Sequence, residues 1–308
     1  MPITAKQVAD LRAKTGLGMM ECKKALTEAD GNEEEAIKIL REKGLAVADK
    51  KSSRIAAEGT VDIMIDEATK TAAMIEVNIE TDFAASNAVF TAFVRDLLKI
   101  ILDKKPADVA ELLTLDFDGE QNVETALKNK VFEIGENINI RRFTIVQGNI
   151  ASYIHGKGSI GVMVKMADST ALNTPEFKEA AKNVALQIAA MKPLYLGKED
   201  VPASVIDSEK SIIMAQIKND EKNANKPDNI IEKMALGKIG KYYSTNCLLL
   251  QEYVKEEKLT VEQYLASVAK TLNADVKVEA FVMFEKGEGL EKKEENFAEE
   301  IAKQLAGN

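Results

Sequence analysis

The apolar residues of this chain change their spacing at Gly59, and few sequence features constrain a fold more tightly. Before that point they recur every third or fourth position, as Val8 and Leu11, then Met19, Cys22 and Leu26, then Ala36, Ile37 and Leu40. That is the spacing of helices burying one stripe. Beyond it Val61, Ile63 and Ile65 alternate, a turn falls at 67–70, and Ile75, Val77 and Ile79 alternate in turn, the two-residue period of a β-hairpin. A helical stripe follows at Phe90, Phe93, Val94, Leu97 and Ile101, placed to cover that sheet, then a helix carrying Val123, Leu127 and Val131 and a strand over 138–146. The order then repeats. A strand at Tyr153-Ile154-His155 meets a glycine turn, Ile160, Val162, Val164 and Met166 alternate, and Phe177, Ala181, Val184, Ile188 and Met191 form a helix ending before Pro193. The predicted class is α+β, with a duplicated core of antiparallel sheets and helices.

Helix signals divide the chain further. Thr4 with Gln7 makes a capping box, Thr15-Gly16 stops the first helix, and Asn32 with Glu35 starts a third that ends before Gly44. Residues 1 to about 45 thus read as a three-helix bundle, too small to enclose a pocket and suited to presenting a surface. The stretch from Ala46 to Gly59 reads as a linker. Between Pro202 and Tyr243 two polar helices flank a loop over 219–229, with Ile212, Ile213 and Ile217 facing Ile230, Ile231 and Met234 as a protruding coiled-coil hairpin. Thr260 with Gln263 caps another helix, Val276, Val278, Val282 and Phe284 read as a closing strand, and Phe297, Ile301 and Leu305 give the tail an amphipathic helix. The expected units are 1–55, 56–147, 148–286 with the hairpin inserted at about 202–243, and a C-terminal module over 287–308.

Several chemistries are poorly served. Fifty acidic residues against 41 basic give a net charge of -9, which disfavours tracking along a phosphate backbone, so no direct nucleic-acid contact is expected. No apolar run reaches the roughly 20 residues of a membrane span, and the first residues lack the apolar core of a secretory signal; the cytoplasm is the expected location. Cys22 and Cys247 are far apart and read as buried thiols. With His155 as the lone histidine, a zinc site or a Ser/His/Asp triad has almost nothing to work with, and no GxSxG elbow is present. Gly156, Gly158 and Gly161 spell GxGxxG, but between two strands, where glycines serve a hairpin turn and not a pyrophosphate cradle. No cofactor and no catalytic site are expected; the chain reads as a protein that acts by binding another protein.

The segment from Thr15 to Ala29, Thr-Gly-Leu-Gly-Met-Met-Glu-Cys-Lys-Lys-Ala-Leu-Thr-Glu-Ala, closely resembles the N-terminal signature of the elongation factor Ts family. It is joined in order by Glu80-Thr81-Asp82-Phe83, by the run from Ile134 to Arg142, by Tyr153-Ile154-His155-Gly156 and by Gly287-Glu288-Gly289. The resemblance implies a ubiquitin-associated-like bundle, a two-part core, an inserted coiled-coil hairpin and a C-terminal helical module. It also implies a guanine-nucleotide exchange factor of translation elongation whose partner is the GTPase elongation factor Tu. The sequence departs from the family at Ser159, where an arginine is usual, and at Ala84, where a valine is common.

On its own, Phe83 at a strand-to-helix junction reads as a core aromatic pinning the next helix. The resemblance reverses that order: the phenylalanine enters between helices of the GTPase, the neighbouring Asp82 disturbs its magnesium site, and Thr81 and Ala84 complete the wedge. His155 reads equally as a hydrogen-bonded strand-end residue and, by resemblance, as a partner contact. Lys23 reads as a solvated helix lysine or a contact to the GTPase domain, and Ile134 and Gly135 as core and turn residues or part of the partner surface. Met234 reads as hairpin packing or a further contact. Competing readings are an adaptor whose bundle binds a ubiquitin-like protein and whose hairpin joins two copies, and an enzyme using paired carboxylates, for which no spacing sets any acidic pair apart.

Overall fold

The computed structural model describes residues 3–220 and 226–291. Three helices open it: α1 (Ala5–Thr15), α2 (Met19–Glu28) and α3 (Glu33–Lys51). The Thr4/Gln7 capping box and the Asn32 cap are both formed, and Gly16 closes α1 at φ 71°. Val8, Leu11, Leu17, Cys22, Ala25, Leu26, Ala36 and Leu40 make the bundle core. Met19 is not part of it: the spacing places it beside Cys22 and Leu26, yet it is 53% exposed.

The third helix runs past its expected end. Its buried positions Ala36, Leu40, Gly44 and Ala48 lie four apart, one continuous stripe. Gly44 marks a close approach, not a stop. A side chain there would meet Asn129 and Phe132 at 3.4 Å, both on α7 (Val123–Ile134), while Ala48 reaches the core of the first sheet. The linker therefore shrinks to the few residues before β1 (Glu58–Asp66).

That strand pairs antiparallel with β2 (Thr71–Ile79), which pairs with β3 (Ile138–Gln147). The register sets Val61 opposite Glu76 and Ile63 opposite Met74, so the two apolar alternations of the hairpin lie on opposite faces of the sheet. Ile75, Val77 and Ile79 face the helices, chiefly α5 (Ala88–Lys104), which buries Phe90, Phe93, Val94, Leu97, Leu98 and Ile101. Each such side chain stabilises the fold by roughly 1.5–3 kcal/mol. Val61, Ile63 and Met74 face a second sheet instead, meeting Met163 and Phe284.

The second sheet, β4 (Asn149–His155), β5 (Ile160–Met166) and β6 (Val278–Glu285), repeats the order of the first with its middle strand second in sequence. Its outer face is covered by α8 (Pro175–Met191) through Ile160, Val162, Val164 and Met166. The sheets come so close at Gly161 that an added Cβ would lie 2.5 Å from Val61 Cγ1. Of the GxGxxG glycines, Gly156 and Gly158 form the β4–β5 turn at positive φ, while Gly161 lies within β5 and serves the sheet contact, not the turn. The architecture is α+β: a helix bundle followed by two antiparallel sheets, face to face, each with helices outside.

From the second half projects a hairpin of α9 (Ala203–Asn219) and α10 (Asp228–Asn246), held by Ile213, Ile217, Ile231, Ala235 and Ile239. Ile212 and Ile230, expected inside, are 48% and 39% exposed. The helix α11 (Val261–Leu272) carries the expected Thr260/Gln263 capping box. Both cysteines are buried, and burial pushes the Cys247 thiol up. The expected tail helix around Phe297, Ile301 and Leu305 lies outside the described residues.

One buried carboxylate joins the two halves. Glu76, on β2, is 0% exposed. Consecutive strand residues ordinarily point to opposite faces, but the pairing of β2 and β3 slips by one residue beside Glu76, a bulge that lets both Arg141 and Arg142 reach it. Arg141 Nη1 donates to Oε1 at 2.9 Å and Arg142 Nε to Oε2 at 2.7 Å. The backbone N–H of Gly287, just beyond β6, adds a bond of 2.8 Å, and the Arg142 guanidinium lies 4.2 Å from the centroid of the Phe284 ring. Gly287 must be glycine in this position: φ is 70° and a Cβ would sit 2.5 Å from the Ala57 carbonyl oxygen.

Two outcomes are expected from urea unfolding. Gly44→Leu pushes α3 off α7 and lowers stability by about 1–3 kcal/mol. Glu76→Gln leaves two guanidinium groups without their shared carboxylate and lowers it by about 2–3 kcal/mol; an unchanged midpoint would show that the arginines are satisfied by water alone.

Candidate functional site

Because Ile79 pairs with Ile138, the residues leaving β2 and those entering β3 are neighbours. Glu80 and Thr81 follow the first strand; Glu136 and Asn137 precede the second. Each side contributes a carboxylate that accepts from the other side's backbone. Asn137 N–H donates to Glu80 Oε1 at 2.7 Å, and Thr81 N–H donates to Glu136 Oε2 at 3.0 Å. The Thr81 hydroxyl donates to Glu136 Oε1 at 2.8 Å while accepting from Ala84 N–H at 3.2 Å, the N-cap of α4 (Asp82–Ala85). Two separate sequence blocks are thereby brought into one site.

On this platform Phe83 is 86% exposed, the most open of the large apolar side chains among the described residues. Its location at a strand-to-helix junction does not make it a core residue. Ala84 takes that place: it is 5% exposed and packs into the core of the first sheet, so it anchors the short helix from below and does not lie on the outer face. Asp82 is exposed, and among the described residues its carboxylate makes no ion pair or hydrogen bond. Asn87 caps α5 by accepting from Val89 N–H at 2.8 Å, which fixes the chain on the far side of α4.

Ile134 ends α7 half-buried against the first core, and Gly135 caps that helix at φ 88°. The Lys51 ammonium donates to the Gly135 carbonyl, Asn137 Nδ2 donates to the Arg54 carbonyl at 2.8 Å, and Arg54 pairs with Glu80 at 3.5 Å. The end of α3 and the short linker are therefore tied to the same spot.

The other expected contacts lie elsewhere. His155 sits exposed at the end of β4, its Nδ1 3.0 Å from the Tyr153 hydroxyl. The adjoining turn packs on β1, where Val61 N–H donates to the Gly158 carbonyl at 2.8 Å, and the Ser159 hydroxyl closes it on the Gly156 carbonyl at 2.6 Å. Lys23 projects from α2 between Met19 and Met20, which are 53% and 63% exposed one turn before it. Met234 is half-buried within the hairpin, next to Leu236 at 59% exposure. Sequence reasoning gave no site role to Glu80, Glu136 or Met20, and put Met19 on the buried face of its helix. For the methionines the signal was present, since two adjacent apolar residues opening a ten-residue helix cannot both face a small bundle.

Among the described residues no group of three or more His, Cys, Asp or Glu is placed to hold a metal ion, and no helix is long and apolar enough to cross a membrane. Comparison with known proteins gives a consistent relationship. The family model for elongation factor TS matches residues 80–288. An elongation factor Ts of Clostridium kluyveri (strain ATCC 8527) is 48% identical, covering 99% of this chain and 99% of its own length. One of Clostridium botulinum (strain Alaska E43) is 47% identical over 98% and 99%, and one from strain ATCC 19397 is 44% identical over 98% of each. Identity of this extent reaches from the N-terminal bundle through the wedge to the second sheet, and on it the chain belongs to the elongation factor Ts family of translation elongation factors.

Proposed function

We infer that this chain binds elongation factor Tu in its GDP state and speeds release of GDP, acting as an exchange factor without a catalytic site of its own. The observation that carries this reading is the 86% exposure of Phe83 on a four-residue helix held at both ends. A large aromatic on a rigid projection gains by entering a partner's apolar crevice, and ordering it costs little because its backbone is already fixed. Asp82 stands beside it with a carboxylate that makes no ion pair or hydrogen bond among the described residues. A GTPase retains its nucleotide through backbone amides, a lysine and a Mg²⁺ that neutralises phosphate charge, so disturbing the metal weakens phosphate binding. Reciprocity requires that nucleotide weaken the factor's hold by the same ratio, which makes the ternary complex transient.

Lys23 with Met19 and Met20 forms a second foothold, an apolar pair beside a cation. Ile134, Gly135, His155 and Met234 are carried as further contacts on the strength of the family resemblance. The partner is a protein, the location the cytoplasm, and no nucleic acid is held directly. The exposed Ile212, Ile230 and Leu236 also favour association of two copies through the hairpin.

With elongation factor Tu loaded with a fluorescent GDP analogue and chased with excess GDP, catalytic amounts of this protein speed release. Phe83→Ala reduces the acceleration on the order of a hundredfold, and Asp82→Ala by roughly tenfold, both with unchanged unfolding midpoints because the side chains are exposed. Failure of the folded wild type to accelerate release would overturn the reading, and equal acceleration by Phe83→Ala would remove that residue from the wedge. Light scattering over a concentration series tests the paired state: Leu236→Lys is expected to shift it to monomer, and a wild type monomeric throughout would dispose of it.

A further inference from the structure

The geometry points to Glu136 as a positioning residue for nucleotide exchange: it fixes the backbone from which Phe83 and Asp82 project, and Thr81 serves that device and is not itself a contact. The inference rests on the exchange reading above and extends it to residues that reading gives no part.

The hydrogen-bonding capacity of Thr81 toward a partner is already committed. Its N–H and its hydroxyl hydrogen both go to Glu136, at 3.0 and 2.8 Å, and its hydroxyl oxygen receives Ala84 N–H at 3.2 Å. Charge-assisted bonds from one carboxylate to a backbone N–H and a hydroxyl of the same residue hold that residue in a single orientation. Glu136 is in turn held from below. It lies between Gly135, whose carbonyl takes the Lys51 ammonium, and Asn137, whose N–H is bound by Glu80 at 2.7 Å. Four residues of helix are too short to hold themselves in place, since the first turn of any helix leaves its N–H groups without intrahelical partners. Without Glu136, the entry to α4 keeps only its threonine cap, and the buried Ala84 and the Asn87-capped chain beyond the helix do not by themselves make the direction of Phe83 unique. A wedge that must reach a defined crevice loses rate steeply when displaced by about an ångström.

The test separates positioning from contact and from general stability. Exchange is measured over a range of factor concentrations, giving a limiting rate and a half-saturating concentration. Glu136→Ala is expected to lower the limiting rate on the order of ten- to a hundredfold while the half-saturating concentration changes by less than about threefold. Thr81→Val, which loses the hydroxyl, should fall likewise, and Thr81→Ser, which keeps it, should exceed Thr81→Val severalfold. In a Phe83→Ala background Glu136→Ala should reduce the limiting rate by no more than the roughly tenfold share of Asp82, because there is no longer a ring to aim. A change confined to the half-saturating concentration would make Glu136 a contact and overturn the proposal. So would full multiplicative loss in the Phe83→Ala background, or equality of Thr81→Val and Thr81→Ser. Should Glu136→Ala fold poorly, the Thr81 pair reads the hydroxyl bond to Glu136 together with the cap that the same hydroxyl makes to Ala84 N–H. If the wild type itself failed to accelerate release, the exchange reading would fall, an outcome distinct from a fast wild type with an equally fast Glu136→Ala.

Discussion

A carboxylate with no exposed surface, Glu76, sits where the first sheet meets the end of the second. Burying a charge in that position is unfavourable unless every lone pair is met, and here it meets two guanidinium groups, the Asn78 amide at 3.3 Å and the Gly287 backbone. The consequences run outward. Arginines at adjacent strand positions can share one carboxylate only if the strand is bulged between them, and the bulge lies beside Glu76. Gly287 can approach only without a side chain. Arg142 also reaches the Glu285 carbonyl at 3.2 Å and the Glu288 carboxylate at 3.0 Å, so the end of β6 is tied to a strand far from it in sequence. The Arg141-Arg142 and Gly287-Glu288-Gly289 blocks, which stand far apart in the chain, are two halves of this single arrangement.

The same logic at a smaller scale holds α4. Glu80 and Glu136 each satisfy a backbone N–H on the opposite segment, where β2 and β3 end and begin side by side. Unlike Glu76 these carboxylates are not fully buried, so each bond contributes modestly to stability. Their value lies in orientation, since they determine which way a four-residue helix leaves the sheet. The buried Ala84 below and the capped α5 beyond complete the restraint.

Much of this was legible from spacing alone. The periods of 3.6 and 2 located the helices and strands, the Thr4/Gln7, Asn32 and Thr260/Gln263 caps began helices where expected, and the repeated strand–turn–strand–helix order gave the duplicated sheets. What escaped was pairing at a distance. Gly44 looked like a helix stop because glycine usually closes helices; its reason for being small is Phe132, almost ninety positions away. Glu76, lying between Ile75 and Val77, belongs by alternation to a face that water would cover, and only the second sheet removes the water. Phe83 read by itself belongs in a core, and no local rule reverses that. The family blocks did so because they carry the outcome of tertiary contacts that a single sequence does not display. Even so, they gave no part to Glu80 and Glu136, whose carboxylates bond the backbone beside the exposed residues.

Under the proposed exchange function, a division of labour between exposed and holding residues follows from what such a factor has to do. Affinity spent on gripping the partner equally in all its states moves no nucleotide, because only differential binding shifts an equilibrium. A projection that adapts to the GDP-bound surface would bind without disturbing it. One that is rigid can be accommodated only if the partner yields, and the strain then falls on the nucleotide site. Rigidity in so short a helix cannot come from the helix itself and has to be imported from the sheet through hydrogen bonds to the backbone. On the proposed reading the paired carboxylates at the junction of β2 and β3 supply it, where two loop segments come within bonding distance beneath an exposed phenylalanine.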